Sequence, residues 1–148
     1  DPRRGPLIPS GTASVGLDLA DVGRVRRALE RHGERFVRKV LTEREAAYCL
    51  ARPDPAPHIA ARFAAKEAVI KCLGGGCTLR EIEVWREGSG APRVELSGRA
   101  RERAAGRRVL VSLTHLHDLA AAVAALVDDP SPGATDPGSG EASPDPGS

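Results

Sequence analysis

The chain has 148 residues, enough for one modest domain, and carries 22 basic against 20 acidic residues, a net charge of +2. Five of the acids (Asp128, Asp129, Asp136, Glu141, Asp145) lie in a C-terminal stretch without a basic residue, leaving 22 basic against 15 acidic, or +7, over residues 1–127. That excess selects an anionic partner, whether nucleic acid, a nucleotide cofactor or an acidic protein; the longest apolar run, 119–127, is too short for a membrane span, and three cysteines without metal-ligand spacing exclude a disulfide framework or a zinc site.

Residues 1–13 and 128–148 are rich in Pro, Gly and Ser with little to bury, so both are expected to be disordered extensions of a folded domain at 14–127. Val15–Leu19 reads as a short strand ending in acidic residues. From Asp21 to His32 the period becomes helical, with Val22, Val25 and Leu29 on one face and Arg24, Arg27 and Arg31 on the opposite one. Gly33 breaks that helix, and Thr42 with Glu45 three residues on forms a capping-box signature for another. Arg52-Pro-Asp-Pro-Ala-Pro57 reads as loop.

The strongest helix is His58–Leu73, with Ile59, Phe63, Ile70 and Leu73 as its apolar stripe and Gly74-Gly-Gly76 as its stop. Residues 81–85 and 93–96 alternate around Gly88-Ser-Gly90 and predict a hairpin. Ser97 is placed to cap a short helix through Ala105, and Val109–Leu113 reads as a strand running into Thr114-His115. Leu119–Val127 is ambiguous, since its alanines favour helix while its unbroken apolar run suits a buried strand.

Three places offer chemistry. Asp18 ends a strand; Glu67 and Lys71 lie one turn apart at the margin of a helical stripe; Ser112-Leu-Thr-His115 leaves a strand with polar groups. Singly, each suits a bland role as a cap, a solvated ion pair or a structural histidine.

Their order and wording carry more. Gly16-Leu-Asp18, Arg62-Phe-Ala-Ala-Lys-Glu-Ala-Val-Ile-Lys-Cys-Leu-Gly74, Ile82-Glu-Val84 with Gly90-Ala-Pro92, and Ser112–His115 together resemble the holo-acyl-carrier-protein synthases over about residues 15–127. The resemblance implies an α+β fold, a small antiparallel sheet wrapped around a long central helix, assembled as a homotrimer with the active site between subunits. It implies transfer of 4′-phosphopantetheine from coenzyme A to a serine of an apo acyl carrier protein, in the cytoplasm. It also implies Asp18 and Glu67 as ligands of Mg²⁺, Lys71 as a catalytic cation, and Arg62, Lys66, Lys71 and His115 as contacts to coenzyme A. Arg24 matches a family arginine, and with Arg27 and Arg31 it offers a surface for an acidic carrier. A metal-bound water or Glu45 is left as the base. Leu79-Arg80 departs from the family, standing where a tryptophan is common.

The alternative is a non-catalytic module that binds coenzyme A or a carrier protein, which would have no need of Asp18, Glu67 and Lys71 together. Nucleic acid is set aside because Phe36, Tyr48 and Phe63 interleave too thinly with the arginines to form a stacking platform.

Overall fold

A computed structural model describes residues 11–129. Strand β1 spans Thr12–Asp21, followed by helices α1 (Val22–His32), α2 (Glu34–Val40), α3 (Glu43–Leu50) and α4 (Pro55–Cys72). A 3₁₀ turn, Leu79–Glu81, leads into the hairpin β2 (Ile82–Trp85) and β3 (Arg93–Leu96), then α5 (Gly98–Ala104), β4 (Arg108–His115) and β5 (Leu119–Val127). The strands form an antiparallel sheet in the order β1-β5-β4 and a separate β2-β3 ribbon, and α4 packs against β1, β5, β4 and β2. This is the expected α+β arrangement around a central helix. The polar extensions at 1–10 and 130–148 lie outside the described residues.

Alternation sets the sheet's two faces. Gly16, Asp18 and Ala20 of β1 and Ala120, Ala122, Ala124 and Leu126 of β5 turn toward α4, while Val15, Leu17, Leu19 and Val123 turn outward. β5 is the middle strand, paired along its length on both sides. Helix propensity therefore yields there to a sheet that pairs every residue of the segment, and the ambiguity of 119–127 resolves as strand.

Helix α4 is buried around most of its circumference, with Ala56, Ala60, Ala61, Ala64, Ala65 and Ala68 all under water-excluding cover. The one-sided stripe read from its large residues is too narrow. Small side chains facing the alanines of β5 bring helix and sheet close together, so alanine itself is the core material.

The helix also starts earlier than expected. Pro55 and Pro57 belong to its first turn, where a missing N–H costs nothing and a fixed φ suits the helix. It ends where Gly74, Gly75 and Gly76 take φ of 79°, 81° and 79°. The capping box at Thr42 forms as read: Thr42 Oγ1 accepts from Glu45 N–H, and the Glu45 carboxylate accepts from Thr42 N–H. Ser97 precedes α5 without capping it. Glu81 takes that role, its Oε2 accepting from the N–H groups of Arg99 and Ala100, the latter at 3.2 Å.

Candidate active site

The site begins with a glycine. A Cβ at Gly16 would overlap the Ala68 carbonyl oxygen and lie 3.2 Å from Cys72 Sγ, so only glycine lets β1 lie this close to α4. Ser14 Oγ donates to Cys72 O at 2.7 Å and fixes the register of the same contact. Two residues on, and therefore on the same face, Asp18 reaches α4. Lys71 Nζ donates to Asp18 Oδ1 at 2.8 Å and to Leu17 O at 3.0 Å, across 53 positions of sequence.

Glu67, one turn before Lys71 on α4, completes this corner. Burial pushes its carboxyl above the usual range, and the nearby charge of Asp18 adds to that, with Lys71 opposing. Asp18 is mostly covered while half of Lys71 stays in water. Two carboxylates that repel each other where strand meets helix, beside a half-exposed ammonium, suit a hard divalent cation that completes its shell with substrate oxygens and water. Among the described residues no group of three or more His, Cys, Asp or Glu offers a self-sufficient metal cage, so the pair fits only a shared ion of that kind.

Farther toward the start of α4 lies a cluster of cations and rings. The Arg52 and Arg62 guanidinium carbons stand 4.1 and 4.3 Å from the centre of the Tyr48 ring. The His58 ring meets Tyr48 edge-on at 6.1 Å and His115 at 5.2 Å. His115 is brought there by register, opposite Ala120, which in turn pairs with Ala20. Ser112 and Thr114, by contrast, fall on the outward face of β4 in register with Val123 and Ala121, away from α4. Arg62 is only 6% exposed, its best hydrogen bond is 3.4 Å to His58 O, and its Nε has no partner.

Lys66 lies elsewhere. It is fully buried, with Nζ donating to Val40 O at 2.7 Å and to the Glu45 carboxylate. The other Glu45 oxygen accepts from Val84 N–H at 2.9 Å. This pair joins α2, α3, α4 and β2, and burial holds the Lys66 ammonium below its ordinary pKa. Such a lysine has no free direction in which to meet a phosphate, and Glu45, buried and already accepting from three donors, lies out of reach of a serine hydroxyl. The structure thus sets Lys66 and Glu45 together in a buried pair, apart from the cluster at Arg62.

Arg24, Arg27 and Arg31 are exposed and line one groove of about 300 Å³ along α1. Arg26, on another face, is bound instead to Asp54 by two hydrogen bonds of 2.7 and 3.1 Å. Reading the sequence missed Tyr48, Arg52 and His58 as site residues. Only His58 gave a signal, four residues before Arg62 on one helix face; Tyr48 and Arg52 come from α3 and the loop after it, which no periodicity connects to α4.

Residues 14–124 match the 4′-phosphopantetheinyl transferase superfamily. The holo-[acyl-carrier-protein] synthase of Moorella thermoacetica is 48% identical over 116 residues, 74% of this chain and 90% of that protein. Among solved structures, the acyl carrier protein synthase of Mycobacterium tuberculosis is 35% identical with a TM-score of 0.66, covering 80% of this chain and all of that one. A holo-(acyl-carrier-protein) synthase of Bacillus anthracis in complex with CoA (3′,5′-ADP) is 26% identical with a TM-score of 0.68, covering 80% of this chain and 98% of that one.

Proposed function

The chain belongs to the 4′-phosphopantetheinyl transferase superfamily, and on that premise we propose that it transfers 4′-phosphopantetheine from coenzyme A to a serine hydroxyl of an apo acyl carrier protein, releasing 3′,5′-ADP. The observation that carries this reading is the meeting of Asp18, Glu67 and Lys71 where β1 crosses α4, three charges that a binding module would not need.

The serine oxygen attacks the phosphorus that bears the pantetheine arm, and the bond to the bridging pyrophosphate oxygen breaks. The protein has little covalent work in such a step beyond alignment and neutralising charge. Asp18 and Glu67 would hold Mg²⁺, which supplies Lewis-acid neutralisation of the pyrophosphate oxygens. Lys71 presents its ammonium to the charge that builds on the leaving group; half exposed, it is free to face a ligand. Arg62 and His115 hold coenzyme A by its remaining phosphate, and we assign Lys66 and Glu45 to the scaffold. The chain's free cysteines, Cys49, Cys72 and Cys77, suit the reducing cytoplasm, and no helix among the described residues is long and apolar enough to cross a membrane.

Arg24, Arg27 and Arg31 form the landing strip for the acidic carrier. The outward face of the β1-β5-β4 sheet, where Leu17 and Leu19 are exposed, is the face through which three copies associate.

Incubation with coenzyme A, Mg²⁺ and a set of apo carrier proteins tests the reaction by mass. One phosphopantetheine should be gained per carrier, the gain should vanish with EDTA and return with excess Mg²⁺, and Asp18→Asn and Glu67→Gln should abolish it in folded protein. Absence of a mass gain on every carrier, or full activity of either variant, would overturn the reading.

A further inference from the structure

The cluster at the start of α4 contains more cation than its proposed ligands account for. Arg62 is a nearly fully buried guanidinium whose Nε has no partner. The groups around it are Arg52, His58, His115 and the Tyr48 ring. The acid nearest the cluster, Asp54, is already held through both oxygens by Arg26. A buried guanidinium without a counter-ion is costly, and an anion held by the exposed Arg52 and His115 and the half-buried His58 beside it would supply the missing charge.

The geometry points to His58 as a further binding residue for the 3′-phosphate of coenzyme A, one that takes up a proton when that phosphate arrives. The inference rests on the coenzyme A reading above. The choice of phosphate follows from length: His58 precedes Glu67 by nine residues, roughly 14 Å along the helix axis. The pyrophosphate, placed at Asp18, Glu67 and Lys71, does not span that distance. The ribose 3′-phosphate is the one other phosphate coenzyme A carries, and as a monoester it brings up to two charges where the pyrophosphate oxygens bring one each.

The proton follows from the neighbours. In the free protein, burial first, then His115, Arg52 and Arg62, pull His58 below its ordinary pKa, with Asp54 alone opposing, so the ring is neutral near pH 7. A dianion among these cations reverses the sign of the local field and favours imidazolium. Binding at neutral pH therefore draws one proton from solvent onto the ring. While the monoester remains a dianion, above its own second pKa of about 6, affinity rises as pH falls toward neutrality and weakens as pH climbs.

Calorimetry with coenzyme A and with dephospho-coenzyme A, which lacks only the 3′-phosphate, tests this at about pH 7 and about pH 8.5, where the monoester is mainly a dianion, in buffers of different ionisation enthalpy. Wild-type protein should bind coenzyme A with proton uptake and more tightly at the lower pH, and dephospho-coenzyme A more weakly with neither effect. His58→Gln should lose roughly ten- to hundred-fold in affinity for coenzyme A at the lower pH, lose the proton uptake, and bind dephospho-coenzyme A as wild type does. His58→Lys, a permanent cation, should recover affinity without the pH dependence. If His58→Gln keeps the uptake and its pH dependence, or weakens both ligands alike, His58 is not the residue. If wild-type protein binds neither ligand, the coenzyme A reading fails and this inference falls with it.

Discussion

Gly16 shows how far a single residue governs the site. It carries no functional group, yet the missing side chain sets how closely β1 approaches Ala68 and Cys72, and thereby whether Asp18, two residues on, reaches Lys71 at all. Gly16→Ala forces a methyl group into a helix carbonyl. Overpacking of this kind costs about 1–3 kcal/mol, so thermal or denaturant unfolding should show a loss of that order. Transfer activity, assayed well below the new melting temperature, should fall further than the remaining folded fraction accounts for, because the strand's displacement moves Asp18. Wild-type stability in the alanine variant would show that strand and helix do not lie as closely as drawn. Lys66 teaches the opposite lesson. Its type and place in a specific motif suggested a ligand role, whereas the structure buries it against Val40 and Glu45, and burial is invisible in a motif that interleaves buried and exposed residues on one helix.

At the scale of elements, the hairpin, the capping box and the glycine stop of α4 were legible because each is local chemistry: alternation, a reciprocal side-chain cap and left-handed backbone. The start of α4 and the true cap of α5 were less so. Prolines at 55 and 57 read as breakers unless the helix boundary is already known, and Glu81 caps α5 from 18 residues away. The proposed catalytic corner, strand β1 against helix α4, emerged from family resemblance, since nothing in the spacing of Asp18 and Glu67 brings them together. The arginines of α1 are a simpler case, because a helix period alone puts Arg24, Arg27 and Arg31 on one exposed side. Rim charges act on encounter and are screened within about 8–10 Å at moderate salt. Reversing Arg24 and Arg31 to Glu should therefore raise the KM for the carrier protein and flatten its salt dependence, with the KM for coenzyme A nearly unchanged. Steady-state kinetics with each substrate varied in turn at low and high salt decides it. Equal shifts in both constants would place the stripe in the cofactor site, and no shift would leave it a solvated face.

The whole molecule places two unlike surfaces on one small body: a basic rim on α1 and an apolar sheet face. On that face Val15, Leu17, Leu19, Leu110 and Val123 are 46%, 63%, 59%, 51% and 41% exposed, contributed by all three strands of one sheet. Isolated exposed leucines are ordinary, but a contiguous group on neighbouring strands marks a surface that meets another protein. The edge strand β1, which carries three of the five, also leaves one row of backbone groups outside the sheet. The +7 of residues 1–127 resists association of identical copies, so contact through this face must be driven by apolar burial, which salt does not weaken. The proposed trimer and the proposed carrier complex therefore part company in salt: the first should persist where the second dissociates. Native mass spectrometry and light scattering should find three copies at low and high ionic strength alike. Leu17→Glu, placing a charge among the exposed apolar side chains of β1, should give a folded monomer. On the proposal that the active site forms between subunits, that monomer should lose transfer activity although Asp18, Glu67 and Lys71 are untouched. A wild-type monomer would refute association through the sheet. A Leu17→Glu variant that remains trimeric would move the interface elsewhere, and an active monomer would show that one chain holds the complete site.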